Sequence, residues 1–183
     1  MPYRIGLIGS AGLGKSGVAE QVGKKLDIVF IKSKDITRPV LTAYGYDVKK
    51  GDYVEKFLSE KELESEIVAK KMNQERWMSD GFVTDRTTLE CFAYALLSVE
   101  KYSKEEIEEL ERKCRENMAN YTHLFYFPQR NGWLEDNGLR TVNVFFQWKI
   151  DMIIRGLLHD WGIPFTTIET DNPAKEILAH VAG

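Results

Sequence analysis

The segment Gly9-Ser10-Ala11-Gly12-Leu13-Gly14-Lys15-Ser16 constrains what this chain can fold into more than any other stretch, because it matches G-x-x-x-x-G-K-[ST] in full. Its setting matters as much as the match. The apolar run Tyr3–Gly9 reads as a strand and the pattern from Lys15 to about Leu26 as a helix, the strand–loop–helix context of a phosphate-binding loop. Glycines permit the backbone angles that turn several N–H groups onto phosphate oxygens, and the helix start adds a partial positive charge. Lys15 supplies a mobile point charge for the outer phosphates, and the Ser16 hydroxyl is a Mg²⁺ ligand. All eight residues from Gly9 to Ser16 are therefore expected to hold a nucleoside triphosphate. A glycine-rich turn with a chance Lys-Ser is the bland alternative, and the flanking elements argue against it.

Composition bounds the rest. At 183 residues the chain is about one domain long, so 1–183 is read as a single unit. A hydrophobic fraction of 43% is ordinary for a globular protein, and 25 basic against 28 acidic residues give −3, which excludes an extended basic nucleic-acid surface. Cys91 and Cys114 are too few for a disulfide framework, both fall on apolar stripes, and neither has metal-ligand spacing. The N-terminus lacks the features of a secretory signal, and no stretch approaches the roughly 20 apolar residues that span a bilayer. A cytoplasmic protein is expected, with no membrane contact.

Strands alternate with helices along the chain. Ile28–Ile31, Phe82–Thr84, His123–Phe127 and Phe165–Ile168 join the first strand as short apolar runs, with Asp27 ending the helix before the second. Residues 33–51 read as a loop with a helical turn, because Arg38-Pro39, Tyr44-Gly45-Tyr46 and Gly51 interrupt any period. Tyr53, Phe57, Leu63, Ile67 and Met72 predict a long or broken amphipathic helix over 52–78, with lysines and glutamates on its other faces. Leu89 to Leu97 carries one apolar stripe. Ser103 and Glu106 form a capping box for a helix reaching Met118, Phe146 to Trp161 marks another that Gly162 ends, and Asn172-Pro173 opens the last. The pattern argues one α/β domain with a five-stranded parallel sheet covered by helices on both faces.

Asp85-Arg86 follows the third strand, at the kind of strand end where ligands bind in open α/β sheets. Asp85 can hold Mg²⁺ or accept a proton, and Arg86 can neutralise a transferring or acceptor phosphate. The alternative is that Asp85 caps the next helix. Residues 129–142, a structureless stretch bearing Arg130 and Arg140, read as a lid whose Asp136-Asn137-Gly138-Leu139-Arg140 turn projects Arg140 onto the reacting phosphate. Solvated surface arginines are the competing reading, and Asp151 and Arg155 are spaced to pair with each other. Asp35 and Arg38 follow the second strand and could activate or bind an acceptor, with Tyr44 or Tyr46 stacking on a ring, or Asp35 could be an N-cap. The charge-dense helix Glu105–Arg115 reads as a solvated face, and His123, His159 and His180 are too scattered for a His-based site.

With these residues placed, the chain resembles the small P-loop kinases of nucleosides and nucleotides. Val83-Thr84-Asp85-Arg86-Thr87-Thr88-Leu89-Glu90-Cys91-Phe92-Ala93-Tyr94 is similar to the thymidylate-kinase segment with Asp-Arg before a helix containing Ala-Tyr. It is also similar to the branch often labelled AAA-type ATPases that includes ribosylnicotinamide kinases, whose lid has an Asp-Gly-x-Arg-like turn. Asp136 to Arg140 departs from that turn by one inserted residue, and Thr37-Arg38-Pro39 is not the Arg-Glu-Pro of thymidylate kinases. The resemblance implies a P-loop three-layer sandwich with strand order 2-3-1-4-5. It also implies Mg²⁺-ATP as donor, and a small nucleoside or (deoxy)nucleoside monophosphate acceptor held between the second-strand loop and the long helix. On this reading Lys15, Asp85, Arg86, Arg140 and Asp35 are catalytic, Ser16 and Asp85 hold the metal, and Arg38, Tyr44 and Arg86 bind the acceptor. A hydroxymethylated base in DNA is the alternative acceptor, and a slow ATPase switch is the reading from another class. A homodimer is compatible with all three.

Overall fold

The computed structural model describes residues 2–46, 61–129 and 144–182. Its elements run β1 (Arg4–Ile8), α1 (Lys15–Leu26), β2 (Val29–Ile31), α2 (Ser33–Ala43), α3 (Lys61–Arg76), β3 (Phe82–Thr84) and α4 (Thr88–Ala95). After a 3-10 segment (Leu96–Lys101) come α5 (Lys104–Met118), β4 (His123–Tyr126), α6 (Val144–Asp160), β5 (Thr166–Thr167) and α7 (Pro173–Ala182). The strands form one parallel sheet in the order β2-β3-β1-β4-β5, as the resemblance implied.

β1, β3 and β4 alternate between two cores because successive side chains point to opposite faces. Ile5 and Leu7 of β1, Val83 of β3 and Phe125 of β4 pack with Val18 and Val22 of α1 and Ile177 and Val181 of α7. On the other face Ile8, Phe82, Leu124 and Tyr126 meet Leu63 and Ile67 of α3, Leu89 and Phe92 of α4, and Ile150 and Ile154 of α6. A sheet buried on both faces explains why its strands read as continuous apolar runs. Cys91 and Cys114 lie in the second core, and burial pushes the Cys91 thiol up to about 12.

Several boundaries differ from expectation. Residues 33–43 form α2, not a loop: Ile36, Val40 and Leu41 give a buried stripe that holds the helix even though Pro39 offers no N–H to the Asp35 carbonyl. Lys32 occupies its N-cap position, so Asp35 is a first-turn residue. The fifth strand is limited to Thr166–Thr167 at the sheet edge. Of the helix expected over 52–78, only Lys61–Arg76 lies among the described residues. Asp27 at φ 53 ends α1, the Ser103–Glu106 capping box opens α5, and Gly162 follows α6 at φ 62, all as expected. No helix of the described residues is long and apolar enough to cross a membrane.

Candidate functional site

Three strand ends deliver the site. From β1 the chain enters the glycine loop, where Gly9, Gly12 and Gly14 have φ of 149°, 92° and 73°. At Gly9 glycine is obligatory twice over, because a Cβ would also sit 2.5 Å from the Phe127 carbonyl oxygen. Lys15, 8% exposed, folds back over the loop and donates to the carbonyls of Gly9 and Ser10, the latter at 2.7 Å. Its ammonium lies 3.7 Å from Glu90. Ser10 Oγ donates to Gln129 Oε1 at 2.7 Å, which ties the loop to the segment after β4.

From β3 comes Asp85. Its Oδ2 accepts a hydrogen bond from Ser16 Oγ, and its Oδ1 accepts from the Ser33 N–H at 2.9 Å and Ser33 Oγ at 2.6 Å. One carboxylate thus joins the glycine loop to the start of α2 after β2. Burial works against its charge, but the hydrogen bonds from Ser16 and Ser33 and the charge of Lys15 outweigh it and hold the pKa below the usual carboxylate range. Asp85 is not the helix cap of the bland reading; Thr87 takes that place.

Arg86 turns the other way. Its Nη2 stands 3.4 and 3.5 Å from the two carboxylate oxygens of Glu64 on α3, and its guanidinium lies 4.7 Å from the centre of the Tyr94 ring. Its Nε is buried with no hydrogen-bond partner among the described residues. Burial raises the Glu64 pKa to about 7, with the charge and hydrogen bonds of Arg86 opposing that rise.

Two groups at the heart of this site escape the patterns used to find it. Glu90 closes a capping box on α4, accepting from the Thr87 N–H at 2.5 Å and Thr87 Oγ1 at 3.0 Å, and also accepts from the Gly9 N–H at 3.2 Å. Burial raises its pKa against the pull of Lys15. The signal was present in Thr87-Thr88-Leu89-Glu90, a T-x-x-E box directly after a strand. Glu64, Lys71 and Glu75 on α3 are buried, not solvated as the amphipathic reading had them. Lys71 donates to Thr84 Oγ1 and pairs with Glu75, each at 2.8 Å, while Glu75 accepts from Tyr121 at 2.7 Å and Asn117 at 2.8 Å. Thr84 in turn donates to the Arg86 carbonyl at 3.0 Å, so this network braces the turn that presents Asp85.

The remaining candidates divide. Asp35 and Arg38 are exposed on α2, and Tyr44 follows its last turn, 37% exposed. Arg155 pairs with Asp151 at 3.2 Å, as their spacing allowed. Arg130, Arg140, the turn from Asp136 to Arg140 and all but residue 129 of the expected lid lie outside the described residues.

A family model described as an AAA domain matches residues 4–175. No curated protein matches the chain in sequence. Among solved structures, the NadR protein in complex with NR superposes with a TM-score of 0.73 at 14% identity, covering 98% of this chain and 50% of that one. The chain therefore spans about half the length of NadR. Deoxyadenosine kinase from M. mycoides with bound dCTP gives 0.59 at 12% identity, covering 98% of both chains. Shikimate kinase from Acinetobacter baumannii in complex with shikimate gives 0.56 at 14%, covering 100% of this chain and 91% of that one. With the match running from the first strand into the last helix, the chain belongs to this AAA-domain family, and its fold is that of the small P-loop nucleoside and nucleotide kinases.

Proposed function

We propose that the chain is a kinase that moves the γ-phosphoryl group of ATP to a small nucleoside or nucleoside monophosphate. The observation that carries this reading is the Asp85 carboxylate, held at once by Ser16 of the glycine loop and by Ser33 at the start of α2. It joins a donor-phosphate site to the neighbouring strand end, where an acceptor can lie outside the carboxyl edge of the sheet. The resemblance of fold to deoxyadenosine kinase and to the NR-bound NadR structure supports a small nucleoside-like acceptor.

The residues fit both groups that such a reaction needs. Ser16 and Asp85 offer paired hard oxygen donors, which suit Mg²⁺. The positive-φ glycines give the loop the kind of backbone that can aim amides at phosphates. Bound there, Mg²⁺ would neutralise charge on the donor phosphates. Lys15 exchanges its two carbonyl partners for phosphate oxygens, and the loop amides orient the triphosphate. Asp35, in the first turn of α2, positions the acceptor, and Arg140 balances charge from the lid. In the transfer the acceptor oxygen, a hydroxyl of a nucleoside or a phosphate oxygen of a monophosphate, forms the new bond to the γ-phosphorus, the bond from that phosphorus to the β–γ bridging oxygen breaks, and ADP leaves, a hydroxyl acceptor giving its proton to solvent.

Coupled ADP-release assays with Mg²⁺-ATP across nucleosides, nucleoside monophosphates and nicotinamide riboside test the reading. Acceptor-dependent ADP release is expected, falling at least about 100-fold in Lys15→Ala as a phosphate-stabilising charge is lost. ADP release independent of any acceptor, or activity that survives Lys15→Ala, sinks it.

A further inference from the structure

We infer that the acceptor is an uncharged nucleoside, and that Glu64 excludes nucleoside monophosphates by occupying the charge of Arg86. The inference rests on the kinase reading above and narrows its acceptor. A monophosphate brings a second polyanion to a site already holding a triphosphate, so it needs a cation not already spent. Arg86 is the arginine carried at the carboxyl end of β3, one residue beyond Asp85, and it is already taken. Both oxygens of Glu64 face its Nη2 at 3.4 and 3.5 Å, and the Tyr94 ring is 4.7 Å away. The side chains of Arg86 and Glu64 are only 18% and 5% exposed, so water screens their charges weakly.

The other charges at this edge repeat the result. Lys15 belongs to the donor loop and lies beside Glu90, Lys71 is paired with Glu75, and Asp85 adds a further negative charge. Among the described residues, three carboxylates, Glu64, Asp85 and Glu90, thus face two cations, Lys15 and Arg86, before any ligand arrives. An anionic acceptor would have to draw Arg86 away from Glu64 and leave a buried carboxylate behind, which is strongly unfavourable. An uncharged acceptor meets no such barrier, since Glu64 can accept from a hydroxyl while Arg86 stays paired. Among the described residues the rival cation is Arg38, exposed on α2.

The test compares each nucleoside with its own 5′-monophosphate as acceptor at pH 8, where Glu64, with its pKa raised to about 7, is ionised and the phosphate is a dianion. Wild type is expected to favour the nucleoside by at least about tenfold in kcat/KM, the size expected for a like-charge clash. Glu64→Gln, with its fold checked by circular dichroism, is expected to narrow that ratio by about tenfold, mainly through a lower KM for the monophosphate. Arg38→Ala is expected to leave the ratio in place. Wild type favouring the monophosphate overturns the inference and leaves the kinase reading standing, and loss of that preference in Arg38→Ala would assign the phosphate to Arg38. A ratio unmoved in folded Glu64→Gln also overturns it. Should Glu64→Gln not fold, the wild-type ratio decides alone. ADP release with no acceptor dependence overturns the kinase reading itself, which is a different result.

Discussion

At the residue scale, Glu64 links the stability of the fold to pH in an unusual direction. Its pKa is raised from an ordinary 4.5 to about 7, chiefly by burial, so between those values the folded chain keeps a proton that the unfolded chain has released. Stability contributed by this group is therefore full below about pH 4.5, falls as pH rises toward about 7, and is flat above. A shift of this size corresponds to roughly 3 kcal/mol as an upper bound. Glu64→Gln cannot ionise and escapes that loss. Its stability relative to wild type is expected to improve by about 1–3 kcal/mol between pH 5 and pH 8, measured by urea unfolding at the two pH values. A difference that stays constant, or moves in favour of wild type, would show that Glu64 ionises in the fold as readily as in water. Asp85 behaves oppositely, since its lowered pKa means stability present at neutral pH and lost in acid.

At the scale of elements, two capping boxes of the same kind separate by what lies around them. Glu106 closes the box on α5 at an exposed helix start, where water replaces a lost partner. Glu90 closes the box on α4 in the buried interior and holds the Gly9 amide as well. Glu90→Gln keeps one carbonyl oxygen and cannot satisfy both ends, so it is expected to destabilise by about 2 kcal/mol and to weaken nucleotide binding. Glu106→Gln is expected to do neither, and thermal melts with ATP titrations on both variants check the contrast. Equal effects from the two would mean the box on α4 serves the helix alone. The difference between these elements also marks where sequence reading works. The glycine loop, β3 and the α5 cap are local, because a few neighbouring residues determine each. α2 was misread because Pro39 and Gly45 punctuate a stripe of only three apolar residues, Ile36, Val40 and Leu41, which tertiary packing then secures. The burial of Glu64, Lys71 and Glu75 was illegible for a related reason. Their partners Arg86, Thr84 and Tyr121 stand 22, 13 and 46 residues away, so nothing in the helical period distinguishes them from solvated charges.

At the scale of the whole molecule, the site lies where the two cores meet. α1 and α7 cover one face of the sheet, α3 to α6 the other, and the glycine loop crosses from β1 into α1 between them. A ligand held there contacts groups tied to both layers, through Ser16 to Asp85 on one side and through Gly9 to Glu90 on the other. Binding to the folded chain alone therefore stabilises both layers together. At 100 times its dissociation constant, Mg²⁺-ATP is expected to add about 2.7 kcal/mol. For a chain of this length that is a rise of roughly 5–10 °C in Tm, still seen as a single transition if the two layers unfold as one. Lys15→Ala should melt below the ligand-free wild type, because the Gly9 and Ser10 carbonyls lose their donor and buried Glu90 its cation, and should lose most of the rise, because the phosphate charge is gone. Differential scanning calorimetry of both proteins with and without Mg²⁺-ATP makes the comparison. Two transitions in wild type, with only one moved by nucleotide, would show that the layers are uncoupled, and an equal rise in Lys15→Ala would place nucleotide binding elsewhere than in the glycine loop.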